Sequence, residues 1–79
     1  MAGTPVRLRG VLKGDNGEAN CTVTALKVTL PGSSDFQYAK ISVASTDTPL
    51  PVGVYVLQVA GLTHTMQHTA QGHWISAGP

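Results

Sequence analysis

The segment Val6-Arg7-Leu8-Arg9-Gly10-Val11-Leu12-Lys13-Gly14-Asp15-Asn16-Gly17-Glu18-Ala19-Asn20-Cys21-Thr22-Val23 decides the fold class. Val6, Leu8, Gly10 and Leu12 alternate with Arg7, Arg9, Val11 and Lys13. That period of two sends successive side chains to opposite faces of a strand. Asn16-Gly17 follows, the strongest short-range hairpin signal, because both central residues of a type I′ turn take positive φ. A turn there sets Asp15 opposite Glu18, Lys13 opposite Asn20, Leu12 opposite Cys21, Gly10 opposite Val23 and Leu8 opposite Ala25. Cys21, Val23 and Ala25 then join the apolar face, while Thr22 and Thr24 stand beside Val11 and Arg9. Past Ala25 the apolar set becomes Leu26, Val28 and Leu30. This change of phase predicts a β-bulge near Ala25-Leu26, or a strand bending between sheets.

Working outward, Leu30 to Asp35 reads as a loop rich in Pro, Gly and Ser. Phe36 to Ala44 is a strand on β-propensity, with Ala39, Ile41 and Val43 alternating. Ser34 or Asp35 could instead cap a short helix within 34–45, which would make the fold α+β. Ser45 to Pro51 is a polar connection. Val52 to Ala60 is a strand with Tyr55, Leu57 and Val59 on one face, and Tyr55 reads as buried. A turn at Ala60-Gly61 sets Val59 opposite Leu62, Leu57 opposite His64 and Tyr55 opposite Met66. A two-residue turn at Gln71-Gly72 pairs Ala70 with His73 and leads into His73-Trp74-Ile75-Ser76. The fold expected is all-β, an antiparallel meander of about six short strands in a compact barrel or sandwich.

The phrase Leu50-Pro51-Val52-Gly53-Val54-Tyr55-Val56-Leu57 resembles the strand-opening segment of bacterial β-sandwich modules, transthyretin-like ones among them. The resemblance covers roughly a tenth of the chain and implies a strand, with no functional residues attached.

At 79 residues the chain has room for one domain, 1–79, with 1–4 and 77–79 expected to fray. Charged residues make up only 11% against 42% hydrophobic, a globular composition with a weakly charged surface. The net charge of +1 gives little repulsion between copies, which favours association. Cys21 is the only cysteine, so no intrachain disulfide stabilises so small a core. No apolar run approaches the ~20 residues of a membrane span. No membrane contact is therefore expected; no secretory signal is visible at Met1 to Pro5, which favours a cytoplasmic location, with removal of a leader as the alternative.

The candidate chemistry is sparse. His64, Met66 and His68 share one strand face; a two-residue Gln71-Gly72 turn brings His73 to it, a set that could hold copper or zinc, whereas a three-residue turn sends His73 to the other side. The favoured reading instead makes Met66 core with His64 and His68 at its rim, and no cofactor is expected. Arg7, Arg9 and Lys13 share the outward face of the first strand, and with Trp74 they are the candidate contacts for nucleic acid or a partner, although a core aromatic closing the last hairpin is the slightly favoured reading of Trp74. A net charge of +1 is low for a nucleic-acid binder, whose domain pI typically exceeds ~9, so blunting of an edge strand is the favoured role. Cys21 points inward and no acid lies on a predicted strand to orient a histidine, so an enzyme is not expected. Asn20-Cys21-Thr22 matches a glycosylation sequon but sits inside a strand. The Thr63, Thr65, Gln67 and Thr69 row, with Thr22 and Thr24, suits a surface for another chain. The expected function is therefore a non-enzymatic β-module acting through a protein partner or self-association. A small-barrel binder of metal or nucleic acid is the alternative.

Overall fold

A computed structural model describes residues 3–77. It contains six strands: β1 (Thr4–Gly14), β2 (Gly17–Thr29), β3 (Phe36–Thr46), β4 (Gly53–Val59), β5 (Leu62–His68) and β6 (Trp74–Ser76). No helix occurs among the described residues, and Phe36 to Ala44 is strand throughout. The strands form one antiparallel sheet in the order β3-β2-β1-β4-β5-β6. It is a pair of three-stranded meanders joined where β4 returns beside β1, a Greek-key step in place of one continuous meander. The sheet curls until β3 approaches β6, giving a nearly closed barrel. Thr4 opens β1, and the Ala77 N–H donates to the Thr65 carbonyl at 2.9 Å; of the termini expected to fray, 1–2 and 78–79 lie outside the described residues.

Apolar positions of alternating period meet inside the barrel. Leu12, Val23, Tyr55 and Leu57 are fully buried, with Ala19, Cys21, Leu50, Val59 and Met66 around them. Each fully buried large side chain contributes about 1.5–3 kcal/mol relative to exposure. The β4–β5 hairpin has the expected register, Val59 opposite Leu62, Leu57 opposite His64 and Tyr55 opposite Met66. Ala60 and Gly61 have φ of 52° and 75°, as a type I′ turn requires.

The first hairpin keeps its faces but not its register. Gly14 pairs with Gly17, Leu12 with Ala19, Gly10 with Cys21, Leu8 with Val23 and Val6 with Ala25. The turn therefore sits on Asp15-Asn16, neither of which has positive φ, and Glu18 lies in β2 opposite Lys13 instead of in the turn. Packing against the rest of the barrel explains the slip. A Cβ on Gly14 would lie 2.6 Å from the Tyr55 ring, and one on Gly17 would lie 3.1 Å from Leu50. Two glycines closing the hairpin let that end tuck beside Tyr55 and beneath Leu50. The shift is by two residues, so the buried set survives.

The expected bulge is present. The β2–β3 register breaks between Thr24 and Leu26, and again between Thr22 and Val23. Opposite the first break, Lys40 takes φ of 52°, a conformation rare outside glycine. These bulges add the twist that curls β3 toward β6. Beyond Ala25, Leu26 and Val28 become half-buried because the backbone of Gly3 lies against them.

The β5–β6 connection corrects the expected two-residue turn. His68 pairs with Trp74 and Met66 with Ser76, leaving 69–73 as a loop. Within it the Thr69 N–H donates to the His73 carbonyl at 2.9 Å, and the His73 N–H donates to Thr69 Oγ1 at 3.1 Å. The frame is one residue from that expected, which reverses every side chain of β6. Trp74 thereby turns inward and Ile75 outward. Burying the larger aromatic decides the frame.

Candidate functional site

His64, Met66 and His68 do share the inner face of β5. Met66 is 3% exposed and belongs to the core, while both histidines are half-buried at its rim. His73 does not join them: the reframed β6 leaves it exposed in the 69–73 loop. Among the described residues no group of three His, Cys, Asp or Glu side chains is placed to hold a metal ion. His68 stacks on Trp74 at 4.2 Å between ring centroids, and its Nδ1 lies 3.4 Å from the Pro51 carbonyl oxygen. That same oxygen accepts the Tyr55 hydroxyl at 2.7 Å. His64 Nε2 is buried without a hydrogen-bond partner.

Arg7, Arg9 and Lys13 are exposed on the outer face of β1, as expected. Their neighbours on β2 are Thr24, Thr22 and Glu18. Trp74 is on the other side of the sheet, edge-on to Tyr55 at 5.4 Å, so it offers no stacking platform to that basic face. Phe36 and Tyr38 pack edge to face at 5.3 Å, and Lys27 Nζ stands 4.2 Å over the Phe36 ring. That cluster lies at the far end of the β2–β3 hairpin. An open groove of about 930 Å³ runs across five strands, with Arg9, Asn20, Thr22, Asp47, Gln58 and Thr63 among its lining. Asp47 closes one end by accepting the Asn20 backbone N–H at 3.1 Å and its Nδ2 at 3.2 Å.

Cys21 is buried, 6% exposed, at the floor of that groove. Burial pushes its thiol pKa up; a backbone hydrogen bond with Gly10 opposes the rise and the Asp47 carboxylate adds to it. The thiol is held protonated, which suits packing and not nucleophilic attack.

The surface that sequence reasoning missed is the outer face of β4. Val52, Val54 and Val56 are 56%, 58% and 40% exposed. Val54 stands beside Gln67, which stands beside Ile75, itself 48% exposed; Val56 stands beside Thr65. The Thr and Gln row singled out on β5 is thus the middle of a three-stranded face with valines on one flank and isoleucine on the other. Lys13, opposite Val56 on β1, is the charge at its border. The signal was legible, because Val52 to Leu57 is apolar except at Gly53, more than one buried face needs.

Neither family models, curated proteins nor solved structures give a match to this chain. The functional reading rests on the surface alone.

Proposed function

We propose that this chain is a non-enzymatic β-module that works through protein–protein contact, with the outer β4–β5–β6 face as its docking surface. The observation that carries the reading is the exposed row Val52, Val54 and Val56, continued across Gln67 to Ile75. A solvated antiparallel face normally alternates polar outward, and a contiguous uncharged apolar patch marks a contact surface. The net charge of +1 leaves little repulsion to oppose approach by a second copy. Self-association through this face is the simplest form of the contact, and a face-to-face sheet packing would bury both rows of valine.

Sedimentation velocity across a hundredfold concentration range tests the reading. A rise in mass with concentration, abolished by Val54→Glu with Val56→Glu while the circular dichroism stays unchanged, is the expected result. A strict monomer whose thermal midpoint and amide spectrum do not change with concentration would remove the support for self-association.

A further inference from the structure

The end of the β1–β2 hairpin places a reactive side chain beside an unshielded amide. Asn16 is exposed at the second central position of the turn, and Gly17 follows it. Gly17 has no Cβ to screen its nitrogen from the side chain before it. We propose that Asn16 is a site of spontaneous deamidation, and that its isoaspartyl product loosens this end of the barrel.

The chemistry needs only water. The Gly17 nitrogen attacks Asn16 Cγ, a step favoured because the two atoms are tethered in one chain. The N–Cγ bond forms, the Cγ–Nδ2 bond breaks, and the proton of the Gly17 nitrogen leaves with Nδ2 as ammonia. One water then opens the succinimide ring, with no oxidation or reduction. Opening at Cγ restores the ordinary chain with Asp at this position. Opening at the main-chain carbonyl carbon routes the backbone through Cβ and Cγ and lengthens it by a carbon.

The fold leaves Asn16 free to enter that reaction. Neither Asp15 nor Asn16 takes the positive φ of a type I′ turn, so the turn does not match the twist of its strands. Asn20, the other asparagine, is held differently. It lies within β2 ahead of Cys21, and its Nδ2 donates to Asp47 Oδ2 at 3.2 Å. Gln71-Gly72 repeats the pattern in an exposed loop, but the extra methylene of Gln demands a larger, slower-forming ring.

The same end has no slack for the product. Gly14 pairs with Gly17, and a Cβ on either would lie 2.6 Å from the Tyr55 ring or 3.1 Å from Leu50, respectively. Asn16 Nδ2 stands over Gly53 at the start of β4, 3.0 Å from where a Cβ would lie. A longer backbone between 16 and 17 must displace some of these close contacts. The new carboxylate falls between Asp15 and Glu18, with Lys13 opposite Glu18. It takes the net charge of +1 to neutral, which favours association between copies. The site is separate from the outer β4–β5–β6 face and does not depend on the reading given to it.

The test ages the full chain at neutral pH and body temperature, with peptide mass spectrometry and isoaspartyl methyltransferase labelling to place the product. Asn16 should convert, mostly to isoaspartate, within about tenfold of its rate in urea, while Asn20 and Gln71 stay intact. Asn16→Gln should abolish the conversion. Asn16→Asp carries the new charge without the longer backbone. The separated isoaspartyl chain should melt below it and exchange faster at the Gly17 and Tyr55 amides. Protection of Asn16 by more than about tenfold relative to urea, or earlier conversion at Asn20, would overturn the site. An isoaspartyl chain that melts together with Asn16→Asp would overturn its effect on the barrel.

Discussion

The imidazole of His68 lies flat on the indole of Trp74, ring centroids 4.2 Å apart and planes 6° from parallel. The stack exists because β6 pairs one residue out of the frame that a two-residue turn would impose. It closes the barrel at its last strand, where Trp74 also meets Tyr55 edge-on at 5.4 Å. Trp74→Ala should cost about 3 kcal/mol, the low end for a large aromatic because Trp74 is only half-buried. His68→Ala should cost about 1 kcal/mol, and a double-mutant cycle by urea unfolding should give a coupling of about 0.5–1.5 kcal/mol. A coupling near zero would show that the two rings share a place without sharing energy.

The Tyr55 hydroxyl is the only polar atom of the most deeply buried aromatic, and it donates to the Pro51 carbonyl at 2.7 Å. That bond ties the β3–β4 connection over the end of the barrel, where Leu50 is 8% exposed. Tyr55→Phe should destabilise by about 1 kcal/mol, the net worth of one such bond. Amide exchange at 49–52 should quicken more than at Leu12 or Val23.

Ala60 holds φ of 52° at the first central position of the β4–β5 turn. An L-residue with a Cβ pays roughly 1 kcal/mol or more there, whereas Asn tolerates it. Ala60→Asn, which writes Asn-Gly into the turn, should raise stability by about 0.5–1 kcal/mol. For a chain of this size that is a rise in thermal midpoint of about 2–8 °C. No rise in calorimetry would mean that the turn is strain-free as it stands.

Cys21 gives a pH dependence with a definite sign. Its thiol pKa is raised in the fold, chiefly by burial. Above the ordinary thiol range the unfolded chain releases that proton while the folded chain keeps it. The unfolded state then binds fewer protons, so this group's contribution is fully present below the unfolded pKa and declines as pH rises toward the folded one. Cys21→Ala should flatten that decline at alkaline pH and cost about 1 kcal/mol at neutral pH. Native-state labelling with a thiol reagent should be slow and should accelerate in denaturant. Fast labelling of the native protein would contradict the burial.

Much of the fold was legible because strand alternation is a local property. Val6–Lys13, Val52–Ala60 and the Ala60-Gly61 turn all read correctly from the chain. The change of apolar phase at Ala25-Leu26 marked the place of an irregularity, which the structure puts in the partner strand, where Lys40 and Ile41 stand against Ala25 alone. Of the candidate site, His64, Met66 and His68 fall on one face as spacing requires, and Arg7, Arg9 and Lys13 on another. Trp74 took the core place its size favours, and His73 fell away from the other two histidines, the frame of the longer turn. The 69–73 loop could close in either frame, and the energy of burying Trp74 against Tyr55 chose between them.

By itself, then, the sequence determined the strands, the faces of the two long hairpins and that no disulfide forms within these 79 residues, because these follow from the period of two and the count of cysteines. The tertiary structure decided register and closure. Asn16-Gly17 carries the stronger turn signal, yet the turn forms on Asp15-Asn16, because Gly14 and Gly17 must pass beneath Tyr55 and Leu50. It also decided which apolar residues stay outside. Val54, Val56 and Ile75 are ordinary strand residues in the chain, and only the curl of the sheet leaves them together in solvent.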